Sequence, residues 1–299
     1  AVDGPTGLDL TSGVVHAPCI RAGLMVTFGG FRRGHLLQRS MCGRVVVVDM
    51  GFPPADPAWP GVVSDGWLST VLSPFNDQMH KGERGKVLVV GGAEGMAGAV
   101  SFPAKAALRS GAGLLKIAAS APSVAACQAT NPDIMCLVTA LGEALEDELL
   151  EAIAWADAIV LGPGLGRGTA RSRFARRVLE ARSGPLLLDA HGLMAFRGAA
   201  DELQSLLAGK RALLTPHRGE FAALFPDLAE GARTDPIGMA AAAAERLGQA
   251  VLLKGVPTVS AAPGLAPLVS AAGNPGLATG GTGDVLAGMA ATWLARGTP

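Results

Sequence analysis

The feature that most constrains this chain is an alternation. Short apolar runs end repeatedly on glycine or polar residues, and stretches with helical spacing follow them. Lys86-Val87-Leu88-Val89-Val90 runs into Gly91-Gly92, and a helix is predicted over 98–109. Residues 114–119 and 134–139 read as strands and 143–155 as a helix. The run 157–161 opens on Gly162-Pro163-Gly164-Leu165-Gly166, ahead of a helix over 169–182. Residues 185–189 form a strand ending on Ala190-His191-Gly192. Residues 211–214 form another, ending on Thr215-Pro216-His217-Arg218-Gly219-Glu220. A helix over 235–247 and a strand over 250–254 complete the series. Strands alternating with helices predict a mainly parallel sheet covered on both faces. Open sheets of that kind bind ligands just beyond the strand ends, where the polar and glycine residues gather here.

The densest such stretch is Gly280-Gly281-Thr282-Gly283-Asp284, which runs into the alanine-rich 285–294. This is a loop opening into a buried helix. The first turn of a helix has unpaired N–H groups and partial positive charge, and glycines let a phosphate approach them. Asp284 at that end either caps the helix or takes a proton from a substrate hydroxyl. A cap needs no such crowding of glycines, so the second reading gains.

Composition narrows the class. The 299 residues are 49% hydrophobic and 17% charged, which suits a buried α/β core and excludes disorder. The formal net charge is zero, so no nucleic-acid partner is expected. No apolar run reaches the roughly 18 residues of a membrane span, so no membrane partner is expected either. Cys19, Cys42, Cys127 and Cys136 show no C-x-x-C spacing, which points to reduced thiols in a cytoplasmic protein rather than a zinc site.

The first fifty residues read differently. Asp3-Gly4-Pro5-Thr6-Gly7-Leu8-Asp9 is a polar turn, 24–28 a strand, 29–34 a loop and 43–49 a strand whose valine run suits burial on both faces. Two strands and a turn make no core of their own. A proline-rich stretch follows, so the expected division is a remnant domain over 1–53, a stiff linker over 54–60 and a second domain over 61–299. Both ends of the chain read as cuts in a longer protein.

The turn at Asp3, the strand pair and the Asp49-Met50-Gly51-Phe52-Pro53 end resemble the last part of the Rossmann-like NAD(P)HX epimerase domain. That resemblance implies that Asp3 contacts a hydrated nicotinamide substrate and that Thr6 helps bind a potassium ion. The family's lysine falls at Arg32, which keeps the charge but not the shape. The family's glycine-rich nucleotide loop lies upstream of this segment, so the epimerase half is expected to be inactive here. A simple turn residue is the other reading of Asp3.

Six further motifs, in order, resemble the ADP/ATP-dependent NAD(P)HX dehydratase family, whose fold is ribokinase-like. They are His80-Lys81-Gly82, Gly91-Gly92-x-x-Gly95-Met96-Ala97-Gly98-Ala99, Gly162 to Gly166, Thr215-Pro216-His217-x-Gly219-Glu220, Leu253-Lys254-Gly255-x-x-Thr258 and Gly280 to Asp284. An epimerase segment ahead of them is the arrangement of the fused bacterial repair enzymes. The resemblance implies that Ala99, Gly164, Gly166, His217 and Asp284 contact the hydrated nucleotide NAD(P)HX. It implies that Lys254, Gly255, Val256, Pro257 and Thr258, with Asn274, Gly281, Thr282 and Gly283, hold ADP or ATP with Mg2+. Asp284 would be the catalytic base for phosphorylation of the substrate hydroxyl, after which phosphate leaves and NAD(P)H returns. A homo-oligomer, tetramer or larger, is implied as well.

Each residue has a plainer reading. Ala99 alone is an ordinary helix residue, His217 a helix-start cap, Lys254 a solvated strand end, and the glycine loops turns. The joint pattern carries the assignment. One motif departs: after Asp189-Ala190 the family usually has a second aspartate, and here His191 stands in its place. Two other functions stay open, a kinase of a small vitamin-precursor alcohol on the same fold and a nucleotide-binding fragment without turnover.

Overall fold

The computed structural model describes residues 1–72, 74 and 77–298. At its start, β1 (Leu24–Phe28) pairs in parallel with β2 (Arg44–Val48), across α1 (Arg33–Leu37) and α2 (Arg39–Cys42). The 29–34 loop thus gives way to a helix one residue before its expected end. The valine run of β2 is not buried on both faces, for Val47 and Val48 stand exposed. It sits in a two-stranded sheet whose small core is Leu8, Met25 and Cys42, too little to cover two faces. Residues 51–60 are exposed throughout and lead to β3 (Gly61–Val62) and α3 (Asp65–Val71).

The large unit then alternates as the apolar runs predict. In order come β4 (Lys86–Val90), α4 (Ala97–Arg109), β5 (Leu114–Ala119), α5 (Ala121–Thr130), β6 (Met135–Val138), α6 (Asp147–Trp155), β7 (Ala158–Leu161) and α7 (Thr169–Ala181). These are followed by β8 (Leu186–Leu188), α8 (His191–Met194), α9 (Ala200–Leu207), β9 (Ala212–Leu214), α10 (Arg218–Leu224), α11 (Gly231–Thr234), α12 (Pro236–Leu247) and β10 (Ala250–Leu253). The last elements are β11 (Thr258–Ala261), β12 (Leu268–Ser270), a 3-10 turn at Pro275–Leu277 and α13 (Thr282–Ala295).

The main sheet has the order β3-β12-β11-β10-β9-β8-β7-β4-β5-β6. It is parallel except where β11 pairs antiparallel with β10 and β12. Alternation along each strand divides the core in two. Val87, Val89 and Leu187 face α4, α5 and α13, whereas Leu88, Val90, Leu186 and Leu188 face α6, α7, α9, α10 and α12. Helices therefore cover both faces, and the strands read as unbroken apolar runs. No helix among the described residues is long and apolar enough to cross a membrane.

The sequence reading assigns nothing to α5, α9, β11 or β12. The start signals are there: proline in the first turn of α5, and Asp201 with Glu202 in the first turn of α9. The β11–β12 connection carries the turn signal Pro263-Gly264, but the pairing of β11 with β10 is a tertiary fact. The helix expected from residue 143 starts at Asp147, because Glu146 turns back to accept from the Ala140 N–H and the Thr139 hydroxyl.

Helix α13 packs on α4 at very short range. A Cβ at Gly288 would lie 2.0 Å from the Pro103 carbonyl oxygen, on helix backbone that cannot step aside. Gly288→Ala is therefore expected to force the two helices apart. A cost of about 3 kcal/mol or more is expected, seen as a lower thermal midpoint with secondary structure retained in the far ultraviolet.

Candidate active site

The chain leaves β4 in one direction to β5 and β6, and later returns on its other side to β7, β8, β9 and β10. That reversal opens a crevice beyond the carboxyl ends of β4 and β7. The loops there interlock through backbone contacts. A Cβ at Gly91 would lie 1.9 Å from the Pro163 oxygen, and one at Gly162 would lie 2.0 Å from the Asp189 oxygen. Gly162 also holds φ at 125°, outside the range of ordinary side chains. The glycines after β4 and β7 thus bring three strand ends within touching distance. Gly164 faces Ala99 closely, since its Cβ position would lie 2.7 Å from the Ala99 methyl.

The centre of the crevice is charged. Asp189, only 2% exposed at the end of β8, accepts from the Thr215 hydroxyl at 2.9 Å and from Lys254 Nζ at 2.7 Å, both on Oδ1. Lys254 ends β10, where its N–H donates to the Pro216 carbonyl at 2.8 Å and continues the sheet one step beyond β9. Its Nζ also lies 3.9 Å from Glu220 Oε2. Lys254 is thus a partly buried partner of two carboxylates and not a solvated strand end. The start of α13 closes the cluster, for a Cβ at Gly283 would lie 3.2 Å from Lys254 Nζ.

Asp284 is the third residue of α13, and Gly281, at φ 90°, is the cap. The capping reading of Asp284 is thereby overturned, since its side chain makes no cap bond. Its carboxyl is half-buried, and its pKa is pushed up to about 6, first by burial and then by Asp189, with Lys254 opposing and Glu220 adding. A carboxylate so tuned is still ionised at neutral pH yet binds a proton far better than a surface aspartate. Burial also raises Glu220 above the usual carboxylate range, against the bonds that favour its charge.

His217 opens α10 in a reciprocal cap. Its Nδ1 accepts from the N–H groups of Gly219 and Glu220 at 3.0 and 3.2 Å, while Glu220 Oε2 accepts from the His217 N–H at 2.9 Å. The cap reading of His217 therefore holds. An accepting Nδ1 leaves the neutral ring its proton on Nε2, 3.4 Å from Glu220 Oε1.

The remaining expected contacts divide. Gly255 to Thr258 form the bend between β10 and β11, with Val256 61% exposed, Pro257 buried and the Thr258 hydroxyl donating to the Gly255 carbonyl at 3.0 Å. Gly166 is half-buried in the β7 loop. Asn274 caps the 3-10 turn by accepting from the Gly276 N–H at 2.8 Å, and the Thr282 hydroxyl donates to the Leu277 and Thr279 carbonyls. The hydrogen-bond partners of Asp3 and Thr6 all lie within the first 35 residues. Asp3 accepts from the Thr27 hydroxyl at 2.9 Å, and its carbonyl accepts from His35 Nε2 at 2.7 Å. Thr6 is exposed, and its carbonyl accepts from the Ile20 N–H. With its carbonyl so engaged, it offers a potassium ion little beyond its hydroxyl.

Asp189, Thr215 and Glu220 were not among the expected site residues, yet they hold Lys254 and tune Asp284. Their signal in the sequence is position: Asp189 closes a predicted strand, Thr215 follows one, and Glu220 has capping spacing to His217. Among the described residues no trio of His, Cys, Asp and Glu is arranged to hold a metal alone. Magnesium does not need one, because one or two carboxylates and nucleotide phosphates suffice for it. Asp189 Oδ2 accepts no hydrogen bond among the described residues, and Asp284 faces the same space. The free Asp189 oxygen fits a magnesium ion carried in by a nucleotide, and the ion would neutralise charge on its phosphates.

Comparison with known proteins agrees with this geometry. Residues 87–298 match the family model described as NAD(P)H-hydrate dehydratase. The chain is 40% identical to the bifunctional NAD(P)H-hydrate repair enzyme Nnr of Salinibacter ruber, over 99% of this chain and 57% of that protein. It is 32% identical to the Escherichia coli enzyme of the same name, over 99% of this chain and 56% of that protein. The chain thus spans less than two thirds of these relatives. Among solved structures, a ribokinase-like protein of Enterococcus faecalis superposes with a TM-score of 0.71 at 26% identity, over 82% of this chain and 83% of that one. The ADP/ATP-dependent NAD(P)H-hydrate dehydratase of Bacillus subtilis, co-crystallised with ATP and Mg2+, superposes at 0.67 and 26% identity, over 79% and 82%. The fold is ribokinase-like, and this chain belongs to the NAD(P)H-hydrate dehydratase family.

Proposed function

We propose that this chain restores hydrated NADH or NADPH to the intact cofactor, using a phosphoryl group from ADP or ATP. The observation that carries the reading is Asp284: a half-buried carboxylate with a raised pKa, at the glycine-flanked start of a 14-residue helix, beside Lys254. Hydroxide is a poor leaving group, and phosphate is a good one. Asp284 takes the proton of the substrate hydroxyl as that oxygen bonds to phosphorus, and the bond from phosphorus to the departing nucleotide breaks. The N–H groups of Gly281, Thr282 and Gly283 point at the transferred group's oxygens, and Lys254 adds positive charge there. The ring nitrogen's lone pair then expels phosphate. Loss of a proton from the neighbouring carbon restores the double bond.

In the same reading, Ala99, Gly164, Gly166 and His217 border the hydrated ring, and Lys254 to Thr258 hold the adenine nucleotide with Asn274 and Gly283. Residues 1–53 close an epimerase domain, 54–60 link it and 61–299 carry the dehydratase. Asp3 is then a substrate contact of the epimerase half.

Absorbance at 340 nm tests the assignment directly. Hydrated NADH with Mg2+ and either ADP or ATP should regain its absorbance, and without nucleotide it should not. A nucleotide-independent rise, or none with folded protein that binds nucleotide, contradicts it and leaves a kinase or a binding protein. The pH profile adds a second check. The base works ionised, so kcat/KM should fall as pH drops through about 6 and level off above it.

A further inference from the structure

Helix α13 is entered through a segment that takes no position from burial. Residues 272–280 are exposed throughout, and Gly273, Gly276 and Gly280 leave the backbone free to move. The hydrogen bonds of Asn274 and Thr282 given above close on the segment itself. So do the bonds from the Leu277 N–H to the Asn274 carbonyl and from the Ala278 N–H to the Pro275 carbonyl. They shape the turn but do not place it on the fold.

An arginine 233 residues earlier in the chain does place it. Arg39, the first residue of α2, donates from Nη1 to the Ala272 carbonyl at 2.9 Å and from Nη2 to the Gly273 carbonyl at 3.2 Å. Two arms of one guanidinium thus hold two consecutive carbonyls, as its rigid fork allows and a lysine ammonium does not. Gly273 sits at φ 103°, so the chain turns at the anchored residue, and Asn274 follows directly. The arginine is itself seated on the large unit. Leu36 of α1 is buried in the core on the α12 side of the sheet, and Phe31 packs against that core. Arg33 pairs with Asp235, which caps α12. The contact between α2 and the loop is therefore a brace fixed at both ends.

We propose that Arg39 is a positioning residue for the adenine nucleotide, holding the turn at 272–278 so that Asn274 meets the nucleotide already in place. A loop ordered before binding spends less of the contact energy on its own ordering, and the ligand binds more tightly. The N-terminal segment thereby serves the nucleotide site of the large unit, apart from any part in epimerisation. The proposal rests on the dehydratase reading for the identity of the ligand, but not for the brace.

Calorimetry with Mg·ADP and Mg·ATP, and steady-state rates on hydrated NADH, compare the whole chain with Arg39→Ala, Arg39→Lys and Arg33→Ala. Arg39→Ala should weaken nucleotide binding and raise the nucleotide KM about tenfold. It should leave kcat at saturating nucleotide and the KM for hydrated NADH unchanged, because α13 and Asp284 are held by α4 and not by the loop. Arg39→Lys, which keeps one contact, should lie between. Arg33→Ala loosens the same interface without touching the loop and should match wild type. No loss in Arg39→Ala, a loss in kcat alone, or an equal loss in Arg33→Ala overturns the proposal. If wild type binds neither nucleotide, the dehydratase reading fails, and hydrogen exchange decides the brace. Amides of 274–281 should then exchange about tenfold faster in Arg39→Ala while those of β4 keep their rates. Equal exchange in the loop overturns the brace itself.

Discussion

Asp284→Asn should abolish most of the nucleotide-dependent turnover and at the same time make the protein harder to unfold. Loss of a general base costs on the order of 10²–10⁴ in rate, here in kcat, since asparagine keeps the shape of the site. The stability gain follows from the same environment. The carboxyl has a pKa of about 6 in the folded chain against 3.8 as an ordinary aspartate. Between those values the folded state keeps a proton that the unfolded state has released. Stability therefore falls as pH rises through that window, and the penalty is complete above pH 6. Full conversion of the shift amounts to about 3 kcal/mol, and partial exposure of Asp284 reduces this to the order of 1–2 kcal/mol. At pH 8 Asp284→Asn should melt several degrees above wild type, and at pH 4 the gap should close. A variant that keeps its rate, or melts lower at pH 8, would remove Asp284 from the role of a tuned base.

Lys254→Met is expected to have the largest effect on stability. Asp189 is 2% exposed, and Lys254, with its side chain 19% exposed, is the cation that pairs with it. Removing one partner of a buried pair strands the other, at a cost of about 3–5 kcal/mol. Glu220 and Asp284 face the same space, so the variant gathers three carboxylates around no cation. Lys254 opposes the rise of the Asp284 pKa, so its loss should also move any residual activity to higher pH. Nucleotide affinity should fall with it. The double variant Lys254→Met, Asp189→Asn isolates the cause: stability should recover in part, because the most deeply buried carboxylate is no longer stranded, while nucleotide binding stays lost. Equal thermal midpoints for wild type and Lys254→Met would show that the pair carries little weight.

Much of the architecture was legible because each signal was local. The strands β4, β5, β7 and β8 announce themselves as apolar runs, and the turns after β4 and β7 are marked by glycines whose backbones do approach other chain segments closely. Asp284 stands out by the glycines around it, and Gly281 rather than Asp284 holds the cap position. Asp189, Thr215 and Glu220 were harder to see. Nothing at those positions taken singly distinguishes a charge-tuning carboxylate from a turn residue, because their partner Lys254 lies 65 residues from Asp189 along the chain. The valine run of β2 misled for a related reason, since hydrophobicity reports what a strand can bury and not what lies against it.

Local chemistry along the chain thus dictates the strand-and-helix alternation, the ligand-binding ends of the strands and the type of residue that abstracts a proton. The pKa of that residue and the pairing of Lys254 with Asp189 arise only when β8, β9, β10 and α13 are set side by side. Charge interactions depend on distance and burial, and sequence separation specifies neither.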